Sequence, residues 1–257
     1  MDRKLNVLIT GASSGIGRAL AVRLSRGGHR LALVARRRAE LVKTALMFAD
    51  GASESLVLPM NIDAAASAKK AMDVVRKKWG HLDVLVNNAG WGVYGPFEKT
   101  PEKDFRGVME TNFFAVVRFC KAALDAFPKG GGHIINIASV AGLSGYPGET
   151  AYSPTKFALI GFSECLHYDL KSRGVKVSVV NPGAVKTSFF DHPSWKKFPS
   201  GRHRVELSAD AVAALVEDVI RRPRFMATTP LRSRIILKVR AISMPFYLWA
   251  IGRAVKA

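Results

Sequence analysis

Short apolar runs alternate with longer stretches of helical spacing along the chain. The runs lie at Leu5–Thr10, Arg30–Ala35, Ser55–Met60, Val84–Asn87, His133–Ala138 and Lys176–Asn181. Their shortness and near-continuous apolar character suit strands covered on both faces. Helical spacing begins at Gly15–Arg26, where Ile16, Leu20 and Leu24 share one face. It predicts further helices over about 38–48, 64–79, 101–127, 152–172 and 208–221. Strand and helix in alternation predict an α/β fold: a single doubly wound domain whose mainly parallel sheet is flanked by helices on both faces. No Pro/Ser-rich linker divides the chain, and no solenoid repeat is present. The main domain is expected over residues 1–229, with a basic amphipathic extension over 230–257.

Composition narrows the class. The 257 residues suit one large domain, and a hydrophobic content of 48% excludes charge-driven disorder. Cys120 and Cys165 cannot form a disulfide framework, and no Cys/His cluster predicts a metal. The N-terminal apolar run is too short for a signal peptide core. The uncharged stretch Ala241–Gly252 is too short to span a bilayer and contains Pro245. A cytoplasmic protein is expected, with peripheral membrane contact left open.

The charge is more unusual. Lys and Arg total 39 against 20 Asp and Glu, a formal net charge of +19. Such an excess suits nucleic acid, an anionic membrane, an anionic small molecule, or simply a soluble basic surface. It is concentrated at both ends. Residues 1–38 hold nine Lys/Arg and one acid, and residues 219–257 hold nine Lys/Arg and none.

The N-terminal cluster surrounds a glycine loop. Thr10-Gly11-Ala12-Ser13-Ser14-Gly15-Ile16-Gly17 joins the first predicted strand to the first helix. Glycines there permit a sharp turn and close approach to a pyrophosphate, which the helix N-terminus attracts. The second strand ends in Val34-Ala35-Arg36-Arg37-Arg38. An acid at that point would bind a ribose 2′-hydroxyl. Arginine instead suits a 2′-phosphate, so NADP(H) is the expected cofactor, with Arg36 as the main contact and Arg37 as the second.

Tyr152 and Lys156 stand four apart, on one face of a helix that Pro154 requires to begin nearby. An ammonium beside a phenol favours the phenolate and is expected to lower its pKa. Tyr152 could then exchange a proton with a carbonyl or alcohol oxygen. Ser139, at the end of the fifth strand, could bond the same oxygen.

These motifs, together with Asn87-Asn88-Ala89-Gly90 and Asn181-Pro182-Gly183, occur in order over about residues 4–228. The chain resembles the classical short-chain dehydrogenases/reductases, a family with a Rossmann-type fold. The resemblance implies that Tyr152 is the acid/base, that Lys156 tunes it and grips the nicotinamide ribose, and that Ser139 orients the substrate oxygen. It implies that Asn112 holds a water in a proton relay. It assigns cofactor contacts to Gly11, Ser13, Ser14, Gly15, Ile16 and Gly17, and to Asn88, Ala89 and Gly90 beside the adenosine ribose. Pro182, Gly183, Val185 and Thr187 would face the nicotinamide. Asn61, followed by Ile62, stands where the family often has an Asp on the adenine, and its carbonyl oxygen can still accept a bond. Ser14 occupies a position that is basic in some NADP(H)-using members. A homo-oligomer is implied as well.

The expected activity is interconversion of a carbonyl and an alcohol by hydride transfer, on a small or lipophilic substrate. An NADP(H)-binding regulator without turnover is the alternative, opposed by the complete set of Asn112, Ser139, Tyr152 and Lys156. No helix-turn-helix, zinc or RNP-like pattern supports nucleic-acid binding. The segment 184–207 is expected to form a lid. It carries Phe189, Phe190, Trp195 and Phe198 among Lys196, Lys197, Arg202 and Arg204. In the tail, Ile235, Val239, Ile242 and Phe246 share a helical face near Arg232, Arg234, Lys238 and Arg240, with Tyr247, Trp249, Arg253 and Lys256 following. That pattern suits an anionic membrane surface, a dimer contact or a cover for the pocket.

Overall fold

The computed structural model describes residues 3–48, 53–197, 207–230 and 239–256. Of the residues singled out above, Phe198, Arg202, Arg204, Arg232, Arg234, Ile235 and Lys238 lie outside them. Six strands form at the six apolar runs: β1 (Asn6–Thr10), β2 (Arg30–Ala35), β3 (Ser55–Pro59), β4 (Val84–Asn87), β5 (His133–Ile137) and β6 (Lys176–Pro182). A pair of two-residue strands follows, β7 (Val185–Lys186) with β8 (Leu207–Ser208). One further strand, β9 (Met226–Thr229), was not expected from the sequence. It is a short edge strand, and only its pairing with β6 reveals it.

The main sheet has the order β3-β2-β1-β4-β5-β6-β9, and every neighbouring pair is parallel. Strand alternation divides its side chains between two layers. Leu8, Val34, Leu85, Ile134 and Val179 face one layer, with α3 (Ser67–Trp79), α5 (Ala115–Leu124) and α6 (Ser153–Asp169). Val7, Ile9, Leu33, Val86, Ile135 and Val180 face the other, with α1 (Gly15–Arg26), α2 (Arg38–Leu46) and α7 (Ala209–Arg221). Burial on both faces explains why the strands read as continuous apolar runs. The chain leaves β1 toward β2 and β3, then returns to place β4 on the other side of β1. That reversal opens a crevice at the carboxyl ends of these strands.

The helix expected over 101–127 is divided. Helix α4 (Glu102–Met109) and α5 are joined by a widened π-type turn over Glu110–Phe114. Such turns interrupt the regular ladder while preserving helix direction, so periodicity alone does not expose them. The C-terminal helix, α8, spans Met244–Lys256.

A buried polar thread ties the sheet to α6. Asn87 Nδ2 donates to Asn136 Oδ1 at 2.9 Å, and Asn136 Nδ2 donates to Ser163 Oγ at 2.8 Å. Asn136 is fully buried, so truncating it strands polar groups without water. Asn136→Ala should lower the unfolding free energy by about 1–3 kcal/mol in urea titration. An unchanged transition midpoint and slope would show that the thread does not hold α6 to the sheet.

Candidate functional site

The crevice is a cleft of about 1420 Å³. Its near end is the glycine loop. Gly11 and Gly15 have φ of +69° and +54°, where other residues are strained. Gly17 is needed for a different reason: a Cβ there would lie 2.4 Å from the Gly11 carbonyl oxygen and 2.6 Å from Asn88 Nδ2. Asn88 Nδ2 donates to the Thr10 carbonyl at 2.9 Å, and the Thr10 hydroxyl accepts from the N–H groups of Asn88 and Ala89, each at 3.0 Å. The loop after β4 is thereby fixed against the loop after β1.

Helix α1 starts without a side-chain cap. Ser14 is in the capping position, yet its hydroxyl makes no bond to the helix and instead accepts from Ser188 Oγ at 3.2 Å. The first turn also lacks an acid. Its N–H groups are left to meet an anion. Arg36 and Arg37 are exposed on the cleft wall beside the end of β2. Asn61 and Ile62 line the wall as well; Asn61 Oδ1 accepts from the Asp63 N–H at 3.2 Å.

Tyr152 caps α6, with Pro154 in its first turn, as the sequence required. Tyr152, Lys156 and Ser139 are all buried and all line the cleft. The Ser139 hydroxyl lies near the Tyr152 hydroxyl and favours its phenolate form. Ser139 Oγ also accepts from the Ala141 N–H at 3.1 Å, which aims the hydroxyl. Lys156 Nζ donates to the Ile137 carbonyl at 3.0 Å and lies 5.7 Å from the Tyr152 ring centre.

The pKa expectation for this pair is corrected. Burial raises the Tyr152 pKa above its usual value, and the nearby Glu149 carboxylate raises it further; the Ser139 hydroxyl opposes them. Burial also lowers Lys156 to about 8. Removing charge from water dominates both groups and favours their neutral forms.

The cleft brings together Gly11, Ser13, Ser14, Gly15, Ile16, Arg36, Arg37, Asn61, Ile62, Asn88, Ala89, Gly90, Ser139, Tyr152, Lys156, Pro182, Gly183, Val185 and Thr187. Gly17 and Asn112 stand behind its wall. Asn112, in the π-type turn, is fully buried. Its Nδ2 donates to the Trp91 carbonyl at 2.9 Å and to Thr155 Oγ1 at 3.1 Å, and its Oδ1 accepts from the Trp91 N–H at 3.1 Å. It braces the loop after β4 against the first turn of α6.

Aromatic rings line the far end. Phe189 lies 5.3 Å from the Tyr152 ring and 5.5 Å from Trp195, and Trp195 stacks on Tyr94 at 5.7 Å. Trp195 Nε1 donates to the Gly92 carbonyl at 2.9 Å. A Cβ on Gly92 would be 2.8 Å from Tyr152 Cδ2 and 3.0 Å from Phe189 Cζ. Phe189, Phe190 and Trp195 were expected from the lid segment. Trp91, Tyr94, Tyr146 and Glu149 also line the cleft and were missed. Their only sequence signal was nearness to the Asn-Ala-Gly and Tyr/Lys motifs.

The family model for short chain dehydrogenases matches residues 5–196. The 3-ketodihydrosphingosine reductase of Bacteroides thetaiotaomicron is 37% identical over 187 residues, 72% of this chain and 66% of that protein. A 3-oxoacyl-(acyl-carrier-protein) reductase of Rattus norvegicus is 33% identical over 81% of this chain and 89% of its own. A short-chain dehydrogenase/reductase from Burkholderia phymatum, solved with NAD, superposes with a TM-score of 0.84 at 26% identity, covering 96% of each chain. One from Sphingobium yanoikuyae, solved with NADPH, gives 0.78 at 26% identity over 97% of this chain and 95% of its own. The glycine loop, the sheet order and the Ser139–Tyr152–Lys156 cluster thus accompany a match over most of the sequence, and the chain belongs to the short chain dehydrogenase family.

Proposed function

We propose that the protein is an NADP(H)-dependent oxidoreductase that interconverts a carbonyl and an alcohol by hydride transfer on a lipophilic substrate. The reading rests on one observation: Ser139, Tyr152 and Lys156 meet in the same cleft as the uncapped glycine loop and the Arg36/Arg37 wall. Two relatives are named as reductases of 3-keto or 3-oxo compounds, which supports a carbonyl substrate.

The residues suit a dinucleotide. A Cβ at Gly11 would meet Asn88 and Ala89 at under 3 Å, so glycine there lets the two loops that flank the cleft lie this close. The free N–H groups opening α1 would take the pyrophosphate, with Ser13, Ser14, Gly15 and Ile16 around it. Arg36, and then Arg37, would take the 2′-phosphate through paired donors. Asn61 and Ile62 would border the adenine, since Asn61 Oδ1 has a second lone pair. Asn88, Ala89 and Gly90 would border the adenosine ribose. Pro182, Gly183, Val185 and Thr187 would border the nicotinamide, whose bound form supplies the hydride.

The chemistry then follows from burial. Tyr152 holds its proton at neutral pH and donates it from Oη to the substrate carbonyl oxygen as that carbon receives hydride. Ser139 orients the oxygen and bonds the phenolate that results. Lys156, while protonated, places a positive charge near that phenolate, an interaction stronger after proton transfer than before it. Oxidation runs the same steps in reverse. Asn112 serves as a brace that sets the distance between the loop after β4 and α6. The rings of Tyr94, Phe189 and Trp195 exclude water and give an apolar seat to the rest of the substrate.

Tyr152→Phe should lower turnover by about 100- to 10,000-fold while NADPH titration by fluorescence stays unchanged. Turnover near the parent value would refute the acid/base role. Arg36→Asp should weaken NADPH by about 10- to 100-fold more than NADH, as measured by calorimetry; equal losses would remove the 2′-phosphate contact. For Lys156, charged below its pKa of about 8 and neutral above it, the sign is clear. The kcat/KM for ketone reduction should hold steady below about pH 8 and fall above it, because the ammonium is lost. A profile flat to about pH 10 would show that this charge does not assist.

A further inference from the structure

We infer that α8 is a docking surface for a lipid bilayer carrying anionic headgroups. The helix has two unlike sides. On the inner side Tyr247 is 5% exposed, and its hydroxyl is hydrogen-bonded to Ser144. Arg240, in the turn before the helix, donates to the Leu143 carbonyl at 2.5 Å. Its guanidinium lies 5.0 Å from the Phe157 ring and 5.9 Å from the Tyr247 ring. These contacts hold the segment on the body of the protein.

The outer side is apolar and uncovered. Ile242, Phe246 and Trp249 are 84%, 54% and 55% exposed. Phe246, Trp249 and Arg253 follow at i, i+3 and i+7 on one face of α8, and Ile242 lies just before the helix begins. The Phe246 and Trp249 rings stack at 5.6 Å, and the Arg253 guanidinium lies 5.1 Å from the Trp249 ring. Met244 and Leu248 are also exposed, on a different side of the helix. Stacked large rings exposed to water on one helix face indicate a contact surface.

Charge selects the occupant. The last acid in the chain is Asp218, and the 39 residues after it include nine Lys/Arg. A two-fold contact with a second copy would bring like charges together with no acid from this segment between them. An anionic bilayer supplies the missing counter-charge. The side-chain types also fit an interfacial depth, with apolar rings at the acyl boundary and a guanidinium at the phosphates. No helix among the described residues is long and apolar enough to cross a membrane, so the contact is a surface one.

The seat has a consequence for the cleft. Leu143 and Ser144, which hold the helix, follow Ser139, Val140 and Ala141 on the cleft wall. A bilayer against α8 would therefore lie near the proposed site for a lipophilic substrate. That link rests on the proposed function; the docking itself does not.

Sedimentation of the full chain with vesicles tests it. Vesicles of phosphatidylcholine with phosphatidylserine should carry the protein down at low salt, and phosphatidylcholine alone should carry far less. The double variant Phe246→Ser/Trp249→Ser should bind at least about tenfold more weakly, and Arg253→Glu roughly fivefold more weakly. Unchanged melting temperatures confirm that these exposed substitutions leave the fold intact. The proposal is overturned if the anionic vesicles leave the protein in solution, or if the double variant pellets like the parent. It is also overturned if the double variant dissociates a lipid-free oligomer in sedimentation velocity, which would give the face to a second copy. Ketone turnover is absent from every readout, so failure of the oxidoreductase reading would leave this result standing.

Discussion

Two backbones meet at Gly17 with no room for a side chain between them. The Gly11 carbonyl and the Asn88 amide occupy the space that a Cβ would need. This contact fixes the first turn of α1 against the ends of β1 and β4, the strands on either side of the topological reversal. The Thr10 hydroxyl reinforces it by accepting two N–H groups from the β4 loop. The loops on either side of the cleft's near end are positioned from this junction. The glycine loop lies on one side, and the loop leading to Gly90, Trp91 and Gly92 lies on the other. Asn112 carries the constraint onward, because it holds Trp91 and reaches Thr155 at the start of α6. A tight backbone approach is thus transmitted to the helix that bears Tyr152 and Lys156.

Burial is the second constraint, and it sets the chemistry of those two side chains. A phenol and an amine in the same dry wall both shift toward their neutral forms, because each charged form loses its hydration. Glu149 reinforces the effect on Tyr152. The result keeps the Tyr152 phenol protonated at neutral pH. The Phe189 ring against Tyr152 contributes to this dryness, so the apolar end of the cleft and the neutral phenol have one physical origin.

Much of the main architecture was legible in the residues. The six strands lie within a residue or so of their expected ends, because sheets buried on both faces leave unbroken apolar runs, and the helices lie within about three residues of theirs. Strand β9 escaped notice because Met226–Thr229 is short and lies at an edge. The π-type turn escaped because a widened turn keeps the direction of the helix. In the cleft, Gly11, Ser139, Tyr152 and Lys156 stood out through motif spacing. Trp91, Tyr94, Tyr146 and Glu149 did not, since loop residues gain a common wall only when separate segments fold together.

The sequence by itself determined the alternation of strand and helix, the glycine-rich turn, the arginines at the end of β2 and the apolar face of the tail. Each is a local property, carried by neighbours in the chain. Only the tertiary structure decided which way the tail faces. Tyr247 and Arg240 seat it on the wall after Ser139, so Ile242, Phe246 and Trp249 are turned outward. It also decided that burial outweighs the lysine at Tyr152. Solvent exclusion and direction of packing depend on residues far apart in sequence, and no local pattern records them.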